Sequence, residues 1–347
     1  MSDDNFSEYF ESYENLDVHH LMLSDEPRML SYKHAILECQ EMFMDKVVMD
    51  VGAGTGILSV FCAEAGAKKV YAVEASELAK LAEQVINENS LKSVVEVIKS
   101  QVENLDISII GKVDIIVSEW MGFYLVHEGM LDSIITARDK FLREDGQLFP
   151  CVAKLYAAPC QLPTFFEFWD NVHGVTMRCV GEQYRKSKSL KPEILPVNQE
   201  DLLAEGKLLV WLDLHSVTHD ELDTLAGVDT VITCNKNGKY QGVCIWFTVE
   251  FPNGHEFSTS PMNQPTHWKQ TVIVLPESNA VEKDEPIAFK LQLKKNSATL
   301  KWYKLELDLL DANDVEHELP CYCYLTKCIV ARTYISEQTN DTHSDQE

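Results

Sequence analysis

Three things are scarce in this 347-residue chain, and each scarcity removes a class of function. No stretch approaches the ~18 consecutive apolar residues of a membrane span. The opening MSDDNFSEYF carries acids where a secretory leader would carry basic and apolar residues. An intracellular protein of the nucleus or cytoplasm, with no membrane partner, is expected. Basic residues are few, with 30 Lys and Arg against 55 Asp and Glu, a net charge of −25. That field repels phosphate backbones and attracts polycations, so direct nucleic-acid binding is not expected and basic proteins are favoured as partners. Paired metal-ligand spacing is missing as well. None of the ten cysteines forms a CxxC pair. The tightest group, Cys321, Cys323 and Cys328 near His317, reads as reduced thiols on core strands, and no metal is expected.

What is present is a sizeable core, with 45% hydrophobic residues, enough for two domains. Before Pro150 apolar strands alternate with helical stretches: KVVMDV, ILSVFCAEAG, KVYAVE, ELAKLAEQVINENS, VVEVIK, VDIIVSE and MLDSIITARDKFLRE. That order predicts an α/β fold with a parallel sheet, and the nearly all-apolar strands predict helices on both faces. After Pro150 come LLVWLDL, VDTVITC, VCIWFTVEF, TVIVL, AFKLQLK and LKWYKLELDLL, the pattern of an antiparallel barrel or sandwich. Between them TFFEFWDNVHGVTMRCVGEQY is aromatic and helical in pattern, suited either to a second subunit or to its own barrel. The polar residues after Ile335 are expected to be disordered.

The glycine turn MDVGAGTG follows a strand and leads into a helix. Its glycines let backbone approach a ligand. Gly52, Gly54 and Gly56 give GxGxG behind Asp50, not the GxGxxG of dinucleotide enzymes, so hydride transfer is disfavoured. Glu74, at the end of the next strand, is placed to accept both hydroxyls of a ribose. A second acidic motif, SEWMGFYLVHEGM, holds Glu119 and Glu128 beyond the strand VDIIVS, at the sheet edge where open α/β folds bind ligands. Two carboxylates in a partly dry pocket repel one another unless a cation sits between them. For one charge pair ~4 Å apart at an effective dielectric of ~20, the attraction is about 4 kcal/mol before desolvation. A guanidinium matches two carboxylates better than an ammonium does, because its N–H donors form a flat fork.

These motifs together resemble the type I branch of the protein arginine N-methyltransferases. The resemblance rests on YFESY, VMDVGAGTGILSVF, YAVEAS, SEWMGFYLVHEGML and FSTSPMNQPTHWKQ, in family order over nearly the whole chain. It implies a Rossmann-like S-adenosylmethionine-dependent methyltransferase domain at 35–150, closed over by an N-terminal helical segment at 1–34. An antiparallel β-barrel domain would follow at 151–335, with a helical dimerisation arm at about 163–190 and a disordered tail at 336–347. S-adenosyl-L-methionine is the implied cofactor, bound by His19, Arg28, Asp50, Gly52, Gly54, Glu74 and Glu103, with Arg28 on its carboxylate. Glu119 and Glu128 would hold the substrate guanidinium, and His267 of THW would pair with Asp25. Tyr9, Tyr13, Met22, Met130 and Trp268 would line the acceptor pocket. The implied product is mono- and asymmetric dimethylarginine on basic proteins, histones among the candidates, made by a homodimer.

Several residues depart from the family pattern. Phe123 stands where Tyr is common, and Gly129 follows the second acid where Ser is usual, which is expected to loosen the next helix start by about 1 kcal/mol. Leu21, Pro27 and Met29 alter the closing segment and put its geometry in question. The competing reading is a cofactor-binding scaffold of the same fold with weak or no transfer.

Overall fold

The computed structural model describes residues 15–296 and 302–344, with side chains described to residue 338. Tyr9, Phe10 and Tyr13 lie outside the described residues.

Helix α1 (Leu16–Ser24) begins at Asn15, whose side chain accepts from the Asp17 amide. Asp25 ends α1 and caps α2 (Glu26–Glu38) by accepting from the Arg28 amide at 3.1 Å. Pro27 falls in the first turn of α2, where no intrahelical N–H bond is lost and its fixed φ suits a helix. Pro27 is thus compatible with the helix it opens.

Five parallel strands follow: β1 (Val47–Val51), β2 (Lys69–Glu74), β3 (Val95–Lys99), β4 (Val113–Val117) and β5 (Leu142–Phe149). They are ordered β3-β2-β1-β4-β5. Helices α3 (Ile57–Glu64), α4 (Ala79–Glu88) and α5 (Met130–Phe141) make the crossovers. The strand order reverses between β1 and β4, which opens a crevice at their carboxyl ends. The sequence reading ran α5 on through Leu142, Arg143 and Glu144 and so missed β5. This strand lies at the sheet edge, and Arg143, Glu144 and Asp145 are exposed charges that hide its strand pattern.

The second domain is antiparallel throughout. β6 (Val152–Cys160), β7 (Glu193–Leu195), β8 (Lys207–Asp213), β10 (Gly238–Glu250), β11 (Glu256–Ser258) and β12 (Gln270–Val281) form a six-stranded sheet. β9 (Thr224–Thr233), β13 (Pro286–Lys295) and β14 (Tyr303–Leu310) form a three-stranded one, and β8 and β9 touch where the two meet. The arm comprises single turns at Pro163–Phe166 and Phe168–Asp170, then α6 (Arg178–Lys188). A final helix, α7, runs from Thr326 to Ser344. The helix takes in residues 336–344 of the tail expected to be disordered, 345–347 lie outside the described residues, and no Gly or Pro interrupts the sequence from 326 to 344.

One apolar core joins the domains. Tyr32 of α2 and Phe149 of β5 pack on Phe251 with ring centroids 5.1 and 6.3 Å away, and the Tyr32 hydroxyl donates to the Ser118 carbonyl at 3.0 Å. The second domain is thereby fixed against the crevice.

Candidate active site

A cavity of about 470 Å³ fills the crevice beyond β1 and β4. The glycine turn forms its floor. Gly52 has φ +73°, and a Cβ there would lie 2.3 Å from the Met130 methyl group. Gly54 has φ +53° and faces the buried His19 ring, so both positions demand glycine. Glu74 closes one end. Its Oε2 accepts from the Gly54 amide at 2.8 Å, and its Oε1 accepts from the amide and hydroxyl of Ser76 at 2.8 and 2.7 Å. These bonds aim the carboxylate and leave an acceptor position on Oε2 for a ribose hydroxyl. Glu103 lies at the exposed rim, held by the Ser133 hydroxyl at 2.6 Å. A glycine floor, an aimed carboxylate and apolar walls at Leu78 and Val102 fit a nucleoside.

Asp50 is placed differently from expectation. It is fully buried beneath the turn, bonded to the Ser59 hydroxyl at 2.7 Å, and is not among the cavity walls. Burial, reinforced by the Glu74 charge, raises its carboxyl to about 7 against the Ser59 bonds.

Glu119 and Glu128 both line the same cavity. The loop that carries them is strained: Tyr124, Leu125 and Glu128 have φ of 41°, 74° and 84°. A Cβ at Gly122 would come within 1.9 Å of the His127 carbonyl oxygen. The Tyr124 hydroxyl pins the loop by donating to the Tyr303 carbonyl at 3.1 Å and by contacting His127 Nδ1. Burial lowers His127 to about 4, so its ring is neutral. Gly129 stands at the N-cap of α5 with φ 63°, a conformation that favours glycine, and gives that helix start no side-chain cap bond.

Glu119 already carries a guanidinium. Arg28 donates from Nε and Nη2 to Glu119 Oε2 at 2.9 and 2.7 Å, and from Nη1 to the Met22 carbonyl at 3.0 Å. The Met29 sulfur is a further contact of Nη1 at 3.1 Å, so this departure from the family pattern serves the arginine. Met22 and Met130 stand on the same cavity. His267 reaches in from the second domain: its Nδ1 lies 2.6 Å and its amide nitrogen 2.8 Å from Asp25 Oδ2. Burial raises the Asp25 carboxyl, but its bonds to His267 and to the Arg28 amide outweigh this and lower it below the usual range. Trp268 donates from its indole to the Met121 carbonyl at 3.0 Å, which locks the acidic loop to the second domain.

The structure thus brings His19, Met22, Arg28, Gly52, Gly54, Glu74, Glu103, Glu119, Glu128, Met130, His267 and Trp268 to one cavity, with Asp25 behind His267. Sequence reading missed Ser76, Ser133 and the Tyr124–His127 pair. Ser76, two residues after Glu74, was readable as a side chain able to bond back to the acid.

Comparison with known proteins follows the same division. Residues 152–310 match the arginine methyltransferase oligomerization subdomain, and residues 35–138 match the ribosomal protein L11 methyltransferase family. Protein arginine N-methyltransferase 6 of Danio rerio is 38% identical over 319 residues, 89% of this chain and 90% of the relative. Protein arginine N-methyltransferase 1 of Caenorhabditis elegans is 39% identical over 298 residues, covering 83% and 84%. Among solved structures, PRMT6-SAH superposes with a TM-score of 0.76 at 32% identity, covering 85% of this chain and 100% of that one. The Trypanosoma brucei PRMT1 enzyme-prozyme heterotetrameric complex with AdoHcy gives 0.75 at 31%, covering 88% and 97%.

Proposed function

Because the chain belongs to the protein arginine N-methyltransferase family, we propose that its cavity is where a protein arginine is methylated, with Glu119 and Glu128 as the guanidinium clamp. It is an S-adenosylmethionine-dependent enzyme acting on protein substrates. Bound in this cavity, the cofactor supplies an electrophilic sulfonium methyl group. Gly52, Gly54, Glu74 and Glu103 would hold its nucleoside, and Arg28 its carboxylate.

The chain's own residues do the rest. A guanidinium is a poor nucleophile because its lone pairs are delocalised and its pKa exceeds about 12. Glu119 and Glu128 draw the positive charge to the side of the guanidinium away from the attacking nitrogen and fix its direction. The observation that carries this reading is the Arg28 guanidinium seated on Glu119 Oε2, an internal cation in the place assigned to the substrate's. When Arg28 turns to a cofactor carboxylate, Glu119 is left for the substrate. Asp25 engages His267 Nδ1, so the other ring nitrogen is the one available to take the proton released after transfer. Met22 and Met130 offer compliant walls for a second methyl group, which favours asymmetric dimethylarginine. The acidic surface favours basic substrates, histones among them, met in the nucleus or cytoplasm. No described helix is long and apolar enough to cross a membrane.

The test uses labelled S-adenosylmethionine and an arginine-rich peptide. Glu119→Gln and Glu128→Gln are each expected to lower kcat at least about a hundredfold. Cofactor affinity is expected to hold in Glu128→Gln and to rise in Glu119→Gln, where Arg28 no longer has to leave an ion pair. Near-normal turnover in both variants removes the clamp. Cofactor binding without transfer by the unaltered chain supports the scaffold reading.

A further inference from the structure

After β14 the chain folds back over residues 311–325 before α7 begins, and four side chains converge there. His317, Cys321, Cys323 and Cys328 are all buried, and their candidate ligand atoms lie within 4.8 Å of one another. The expected strand-borne core thiols are not what the structure holds: two of these cysteines lie in the loop and one in α7. His317 Nδ1 stands 3.3, 3.5 and 3.2 Å from the sulfurs of Cys321, Cys323 and Cys328. We propose that these four residues form a closed structural site for one tetrahedral divalent cation of zinc type.

The imidazole settles which of its atoms faces the sulfurs. Nε2 lies 2.8 Å from the Ala312 carbonyl, which can only accept, so Nε2 carries the proton and Nδ1 presents its lone pair. One lone pair accepts one S–H bond. Three sulfurs at nearly equal distance from it are not explained by thiol hydrogen bonding. They are explained by a shared cation, since zinc bonds of about 2.3 Å to sulfur and about 2.0 Å to nitrogen, at tetrahedral angles, put nitrogen and sulfur about 3.5 Å apart. The carbonyl bond to Nε2 is also the usual second support of a metal-bound histidine. Three soft sulfurs and one imidazole select zinc over harder cations, and four protein ligands leave no open position for catalysis.

The surroundings supply the reason for a metal. The buried apolar cluster of this segment consists of the three cysteines, with Leu325 packed on it, while Leu319, Tyr322, Ile329 and Val330 are exposed. So small a core needs a cross-link to hold a loop and a helix together. Three thiolates on a dication leave one negative charge. Two cations stand beside it: Arg332 bonds the Cys321 and Cys323 carbonyls, and Lys327 Nζ bonds the carbonyls of Ala312, Asn313 and Val315 at 3.1, 2.9 and 2.8 Å. Thr233 of β9 lies 3.8 Å from the Cys321 sulfur, so the ion would fasten the carboxyl-terminal segment to the three-stranded sheet.

Elemental analysis of untagged full-length protein, purified with reductant and desalted against EDTA, is expected to find one zinc per chain. Replacement by Co²⁺ is expected to give the sulfur-to-metal charge-transfer bands of a tetrahedral thiolate site. Cys321→Ser and Cys328→Ser should weaken binding more than about tenfold, and His317→Cys, which keeps four ligands, should retain the metal. Prolonged treatment with a stronger, zinc-competing chelator than the EDTA of the desalting step should expose residues 311–344 to protease while the rest of the chain stays resistant. Should the variants fail to fold, the metal content and cobalt spectrum of the unaltered chain still decide. Substoichiometric metal, a cobalt spectrum without thiolate bands, or a disulfide among these cysteines in the reduced preparation overturns the site.

Discussion

Asp50 condenses the difference between a residue's sequence address and its chemistry. It stands directly before the glycine turn, yet its side chain points into the protein, with Oδ2 on Ser59 and Oδ1 buried without a partner. Burial is the main cause that holds its carboxyl near 7 rather than at the ordinary 3.8. The folded chain therefore keeps a proton that the unfolded chain has released, and stability falls as the pH rises from about 4 through about 7. Fully expressed, a shift of about three units is on the order of 4 kcal/mol. Asp50→Asn is expected to flatten that part of the profile, gaining stability relative to the parent at about pH 8 and little at about pH 4. Urea unfolding at the two pH values reads the difference. An equal slope in parent and variant would mean that Asp50 ionises freely in the fold.

At the scale of elements, Asp25 joins three of them. It ends α1, caps α2 and receives the backbone amide and the ring Nδ1 of His267 from the segment before β12. Asp25→Ala removes the cap and takes the carboxylate partner from the part-buried His267, so a loss of about 1–3 kcal/mol is expected. Because the Asp25 carboxyl is held below its usual range, this contribution is complete above about pH 4 and is lost below it. Hydrogen exchange should speed across residues 16–38 and leave β1 to β4 unchanged. Uniform exchange change would place the effect in global stability instead. That three-way junction was partly legible in the sequence: a lone acid and a lone histidine gave no signal by themselves, and only the family resemblance paired them. Elements with strong periodicity, β1 to β4 and α3 to α5, were readable because burial forces an apolar pattern. β5 was not, because an edge strand can carry Arg143, Glu144 and Asp145 into solvent. The Cys321 cluster was singled out but read as core thiols for a related reason. Its spacing, HxxxCxCxxxxC, closes only when a loop and the first turns of α7 meet.

The whole molecule raises the question of what covers the arm. The structure divides its aromatics in two. Phe165 is 9% exposed and stacks on Tyr184 at 5.8 Å, inside the cluster that packs against β6, β10 and β12. Phe168 and Val180 are 54% and 47% exposed. Gly181 lets α6 lie against Trp169, since a Cβ there would come 2.6 Å from that ring, so the outward face is held rigidly. The sequence could not separate these roles, because both aromatics occupy one short run, TFFEFW. With residues 152–310 matching an oligomerization subdomain, we expect the exposed face to bury itself on a second copy. Phe168→Asp combined with Val180→Asp should convert a dimer to a monomer at micromolar concentration, measured by light scattering, without lowering Tm. Phe165→Ala, by contrast, should cost about 3–5 kcal/mol, because it opens the arm's own packing. A parent chain that is already monomeric and fully active would assign Phe168 and Val180 no partner, and a lowered Tm in the double Asp variant would return them to the chain's own fold.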